Sequence, residues 1–395
     1  MASQLKDIAR SAPDAARGLR PVTTWREDMI TMALTLWGIT AMFFDGRGHN
    51  NETGQESFFS TAHLFLYTGM TVLGLWIALV VVRYQGVHIR KSLIPDLKLI
   101  PVGYGVAIIG LITLGIGGPA DLIWHEAYGF EVGVEAIYSA PHLMLFFGGL
   151  LVSSTGIRSM WAKQDLQLDF KQAAPVLLST VLFIGVAGFI TMYLSAFMTN
   201  VAMTSDFMND LDRFKDDFDN QSTSLNAGLT GYGDDSWPFY YYSAGHGVAT
   251  IVITTLVLVG PILLLLRRWR LPFGGVTTIF LCYGLLVNIM TEYRDAVLIL
   301  PLVLAGLTFD LAQRRFGSER ADGRMTLGGI RSVGPAATAV LWVSYFIVVA
   351  LTDGMGWPPS MWVGALLVGI MSGFGVAFLV APPSYGPRLV EAEEE

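Results

Sequence analysis

The sequence predicts an all-α, polytopic integral membrane protein of about ten transmembrane helices with duplicated helical hairpins. Three observations carry that expectation. Of 395 residues, 53% are apolar and only 14% charged, against about 25% charged in an ordinary soluble domain. Apolar runs near the ~20 residues that cross a bilayer recur at 28–44, 57–83, 99–118, 137–160, 174–200, 239–266, 273–291, 295–313, 334–352 and 361–381. The basic residues gather on one side of these runs. Only Arg47, Arg213, Lys215 and Arg294 of the 25 Lys+Arg fall on the outer side, so the positive-inside rule puts both termini in the cytoplasm of a multi-pass cell-membrane protein.

In chain order, residues 1–26 form a polar cytoplasmic segment carrying Lys6, Arg10, Arg17, Arg20 and Arg26. They lack a short apolar core followed by a small-residue cleavage site, so no removable signal peptide is expected. The transmembrane domain covers 27–382. Its 201–237 segment is an acidic outer loop, read as a solvated cap. Residues 383–395 form an acidic cytoplasmic tail. The seventh and eighth spans are separate if Thr291–Asp295 makes a tight turn, and the charge distribution favours that turn. Gly115, Gly117, Gly118 and Pro119 are expected to loosen the end of the third helix. Asp310 is expected to mark the cytoplasmic end of the eighth.

The formal net charge of −7 leaves no basic footprint for nucleic acid. One cysteine, Cys282, excludes an internal disulfide and a thiolate metal site. The expected surroundings are a lipid bilayer, a small or lipid-soluble substrate, and other membrane subunits.

The chemistry lies in an internal repeat. The first copy reads Asp45-Gly-Arg-Gly-His49, then Glu56-Ser-Phe-Phe-Ser60-Thr-Ala-His63-Leu-Phe-Leu-Tyr67-Thr-Gly69. The second reads Asp121-Leu-Ile-Trp-His125, then Glu135-Ala-Ile-Tyr-Ser139-Ala-Pro-His142-Leu-Met-Leu-Phe146-Phe-Gly148. A degenerate third copy, Ser243-Ala-Gly-His246, has Phe239 in place of the Glu.

The spacing becomes geometry on a helix. Asp45 and His49, like Asp121 and His125, are four apart and share a face. Glu56, Ser60 and His63 follow an i, i+4, i+7 spacing, as do Glu135, Ser139 and His142. Both hairpins place these groups at their outer ends. Imidazoles and carboxylates are the N/O ligands of transition metals, and ionisable residues inside a membrane are functional candidates. The expected metal ligands are Asp45, His49, His63, Asp121, His125, His142 and His246. Glu56 and Glu135 are the expected bridging groups or bases, and Glu292, at the outer turn between the seventh and eighth spans, is expected to approach from another direction. His88 lies among cytoplasmic basic residues and is excluded. Ser60, Ser139 and Ser243 are read as structural hydroxyls.

The Asp-x3-His…His pattern of Asp45, His49 and His63, and of Asp121, His125 and His142, resembles that of one membrane subunit in the copper membrane monooxygenases (particulate methane and ammonia monooxygenases). That resemblance covers about 30 residues and implies copper ligation by these side chains. The whole chain is also similar to bacterial polytopic membrane proteins with a Phe-Phe-x3-His hairpin (here Phe58, Phe59 and His63), a likeness that implies the fold but no activity. The resulting expectation is a membrane metalloenzyme, an oxidoreductase of the monooxygenase kind, with copper or iron favoured and zinc as the other candidate. The alternatives are a metal-ion or small-solute transporter and an accessory component of a larger membrane complex. The repeat suits a transporter, but polar residues gathered at one membrane face do not.

Overall fold

A computed structural model describes residues 20–51, 60–86, 95–129, 137–198 and 237–383, with the side chains at 49–51 and 237–243 outside the description. Among the described residues the chain forms ten helices and no strand. They are α1 (Trp25–Asn51), α2 (Thr61–Gln85), α3 (Tyr104–Tyr128), α4 (Ala140–Ser153, resuming after Ser154 as Thr155–Trp161), α5 (Phe170–Ile190), α6 (Trp237–Arg268), α7 (Gly275–Val287), α8 (Ile299–Gly317), α9 (Leu327–Thr352) and α10 (Pro359–Val380). Nine of these ten are long and apolar enough to cross a membrane.

The exception corrects the expected span at 273–291. Helix α7 has 13 residues, about 20 Å at 1.5 Å per residue, short of a ~30 Å hydrocarbon core. Its end follows from local chemistry. The Asn288 side-chain amide donates to the Gly284 carbonyl, and the chain then reverses through Glu292 and Tyr293, at φ 55° and 61°. The turn expected at 291–295 is present, and the chain leaves the helix several residues before it.

A second correction concerns α3. It runs unbroken through Pro119 to Tyr128. The glycines before Pro119 serve packing instead. A Cβ on Gly117 would stand 3.0 Å from Leu145, and one on Gly118 would stand 3.0 Å from Tyr67.

The hairpins α1–α2 and α3–α4 lie side by side, and α5 packs against both. Helix α5 is the most buried of the long helices and joins them to α6–α10 through α6 and α7. The seam of the α3–α4 hairpin is a glycine contact: a Cβ on Gly110 would stand 2.8 Å from the Gly148 carbonyl oxygen, and one on Gly148 would stand 2.8 Å from that of Gly110. Small residues let membrane helices approach this closely.

One end of the bundle collects the basic loops. Arg20 donates to the Ile100 carbonyl, Arg268 to Trp161 and Lys163, Arg267 to Val380, and Arg331 to Ala381 and Pro382. A buried polar network that sequence spacing did not reveal sits at this end. Asp28 accepts from Thr23 and Tyr104 on one oxygen, and from Ser159 and Lys163 on the other. Its neighbour Glu27 meets Arg83, Tyr84 and Thr24. Four donors on one carboxylate offset much of the cost of burying it. Asp310 lies toward the basic end of α8 and is buried there: it reaches across to accept from the first backbone N–H groups of α7, at Val276 and Thr277.

Candidate metal centre

The repeat's acidic and histidine side chains lie at the end opposite the basic loops. Helix α1 enters at the basic end and carries Asp45 near its far end, while α2 returns with His63 in its first turn. Ser60 caps α2, its hydroxyl accepting from the His63 N–H at 3.0 Å, so the serine has the structural role its spacing suggested. His63 Nε2 lies 3.3 Å from Asp45 Oδ1.

The second hairpin repeats this pairing. His142 Nε2, from the first turn of α4, lies 3.2 Å from Asp121 Oδ1 on α3. His125, one turn beyond Asp121, brings its own Nε2 to 3.4 Å from the same oxygen. Asp121, His125 and His142 each offer a ligand atom, all within 4.8 Å of one another. Asp121 and His125 are buried and His142 half-buried.

The backbone fixes the His125 ring. Gly129 ends α3 with φ +81°, and its N–H donates to the His125 carbonyl. The Gly129 carbonyl oxygen then lies 3.3 Å from His125 Nδ1. A carbonyl only accepts, so Nδ1 carries the proton in this contact. In a neutral imidazole, Nε2 then presents its lone pair to Asp121 Oδ1, which is also an acceptor. Two acceptors 3.4 Å apart are stable when a cation lies between them, either a proton or a metal ion. The geometry suits a metal: ligand atoms about 2.1 Å from a four-coordinate ion stand about 3.4 Å apart. A histidine whose other ring nitrogen is held by a backbone carbonyl is a common feature of metal ligation.

The two hairpins meet around aromatic rings. Tyr67, one turn along α2 from His63 at a ring distance of 5.8 Å, lies against Gly118 of α3. Its repeat equivalent, Phe146, stacks on His142 at 6.0 Å and meets Phe189 of α5 at 5.5 Å. Phe189 also touches Phe43, two residues before Asp45 on α1. Phe43, Phe189 and Phe146 thus form a chain of ring contacts that links the two hairpins through α5.

Other expected residues stand elsewhere or beyond the described parts. His246 is half-buried on α6 and is not one of the three clustered residues. Glu292 pairs with Arg47, its Oε1 2.8 Å from the guanidinium. The side chains of His49 and Ser243, together with Glu56, Glu135, His88 and the 201–236 part of the acidic loop, lie outside the description. Tyr67 and Gly129 were missed by motif reading. The aromatic position was visible in the repeat, but its contact with the second hairpin is tertiary. Compared with protein-family models, curated proteins and solved structures, the chain matches none.

Proposed function

We propose that this is a membrane-embedded metalloenzyme in which Asp121, His125 and His142 hold a metal ion at the outer end of the bundle, with an oxidoreductase of the monooxygenase kind as its activity. The observation that carries the reading is the convergence of His125 Nε2 and His142 Nε2 on one Asp121 oxygen, at 3.4 and 3.2 Å, in a cluster whose ligand atoms all lie within 4.8 Å of one another. The repeat supports it, because Asp45 and His63 form the same cross-hairpin pair at nearly the same distance. With no thiolate in the set, N/O donors favour copper or iron, with zinc as the alternative. The likeness to the copper membrane monooxygenases points to copper.

The chain's own residues then divide the work. Gly129 sets the His125 tautomer. Asp121 supplies negative charge between two imidazoles. Phe146 stacks on the His142 ring. By repeat spacing we assign Asp45, His49 and His63 to the repeat-related ligand set, His246 as a further ligand, and Glu56 and Glu135 as bridging groups or bases. A bound copper or iron would supply the redox chemistry for oxidising a small or lipid-soluble substrate. The end position of the cluster favours this reading over a transporter, whose sites lie near the midplane.

Elemental analysis of the purified full chain tests the proposal. The expected result is stoichiometric copper or iron, lost in Asp121→Asn and His142→Ala with helical content intact, and retained in His88→Ala. A protein free of metal after reconstitution with copper, iron and zinc would mean that a shared proton fills the Asp–His contact.

A further inference from the structure

At the basic end, far from the Asp–His clusters, a cavity of about 570 Å³ opens between the starts of α5 and α7 and the ends of α6 and α8. Arg270 and Arg314 line it. Neither has a carboxylate within ion-pair distance among the described residues. Both are held in place. The Arg314 guanidinium lies 3.6 Å above the Phe273 ring. The Arg270 backbone is pinned to the neighbouring loop through Leu166 and Leu168, and its side chain packs on Gly323, where a Cβ would stand 2.7 Å away.

The cavity's two acids are already engaged. Asp169 caps α5 through the Gln172 N–H, and Asp310 accepts three hydrogen bonds from the start of α7. Both carboxylates are turned to hydrogen-bond donors at helix starts, so the two guanidinium groups, although balanced in formal charge by these acids, have no direct carboxylate partner among the described residues. At its edge, Phe170 and Phe273 are 50% and 40% exposed, and the Phe170 ring packs 3.6 Å from the Cβ position of Gly274. Exposed aromatic rings beside paired arginines at helix ends fit the headgroup level of a bilayer.

We propose that this cavity binds the phosphate of an anionic phospholipid. Arg270 and Arg314 take the phosphate oxygens, since guanidinium forks match that geometry, and Phe170 and Phe273 lie against the glycerol and first acyl carbons. Basic pockets between transmembrane helices are known to hold such headgroups.

The test uses the full chain in phosphatidylcholine nanodiscs, with phosphatidylglycerol added as the probe and native mass spectrometry reading retained lipid. Preferential retention of phosphatidylglycerol is expected. Arg270→Gln/Arg314→Gln should weaken it about thirtyfold, at roughly one surface charge's worth of attraction per arginine. Arg315→Gln, an exposed residue paired with Glu319, should retain it. Arg270→Lys/Arg314→Lys keeps the charge and should recover part of the binding, which separates phosphate recognition from a folding defect. Equal retention of both lipids, or an unchanged double Gln variant, would overturn the proposal. Displacement of phosphatidylglycerol by millimolar inorganic phosphate would overturn the lipid assignment and leave a free-anion site.

Discussion

Gly129 holds His125 at two points: its N–H donates to the His125 carbonyl at 2.9 Å, and its own carbonyl oxygen lies 3.3 Å from the ring Nδ1. The clamp needs the left-handed φ of +81°, a conformation that strains any residue with a Cβ by about 1–3 kcal/mol. Gly129→Ala is therefore expected to release the His125 ring without removing any of the three proposed ligands, Asp121, His125 and His142. Metal affinity should fall about 10- to 100-fold, the usual effect of losing a ligand's supporting hydrogen bond. Competition with a chelator of known affinity measures this. Unchanged affinity would show that the ring is oriented by other contacts.

Much of this arrangement was legible in the sequence, and the reason is periodicity. Asp121 and His125 are four apart on one helix, so their shared face follows from helical geometry alone. The matched repeats and antiparallel hairpins led to the expectation that these groups gather at one end, but spacing set Asp45 beside His49 and Glu56 beside His63; the contacts of His63 with Asp45 and of His142 with Asp121 are tertiary and come from the structure. Three further features were not legible. The Asp28–Lys163 pair joins residues 135 positions apart, and no local pattern records it. The shortness of α7 turns on one asparagine bonding back to its own helix. The role of the α3 glycines was misread because Gly-Pro sequences weaken soluble helices, whereas packed neighbours support them in a membrane.

Two glycines of α3 provide an internal comparison. A Cβ on Gly110 would meet the Gly148 carbonyl oxygen at 2.8 Å, with Val152 equally near, while one on Gly115 has nothing within 4 Å. Gly110→Ala should destabilise by about 1–3 kcal/mol through overpacking against rigid backbone. Gly115→Ala should be neutral or stabilising by up to about 1 kcal/mol, because alanine is the better helix former. Thermal unfolding in detergent ranks the two. A reversed order would show that α3 and α4 do not meet along this seam.

The Lys163–Asp28 contact, at 2.7 Å with the carboxylate side chain fully buried, is expected to show strong coupling. Lys163→Met removes one of four donors and leaves a buried charge, a loss of about 3 kcal/mol at the low end for broken buried pairs. Asp28→Asn should cost a similar amount. The double variant should cost clearly less than the two single losses combined, since residues in one hydrogen-bonded network are not additive. Simple additivity in the cycle would mean that the ammonium and the carboxylate contribute independently of each other.

Asp295 supplies a pH test outside the spans. Its carboxyl is held above the usual range, first by burial and then by Asp353, with Arg294 opposing. The folded protein therefore binds this proton more tightly than the unfolded chain does. Stability falls as pH rises from the unfolded value, about 3.9, through the higher folded value, and the penalty is complete above that. Asp295→Asn removes the charge, so it should raise the unfolding temperature at pH 7 and leave it nearly unchanged near pH 3.5, where both side chains are neutral. Asp353→Asn should recover only part of the gain, because burial, the larger cause, remains. Unfolding scans of the three proteins at both pH values decide this; the same offset at both would trace the effect to packing rather than charge.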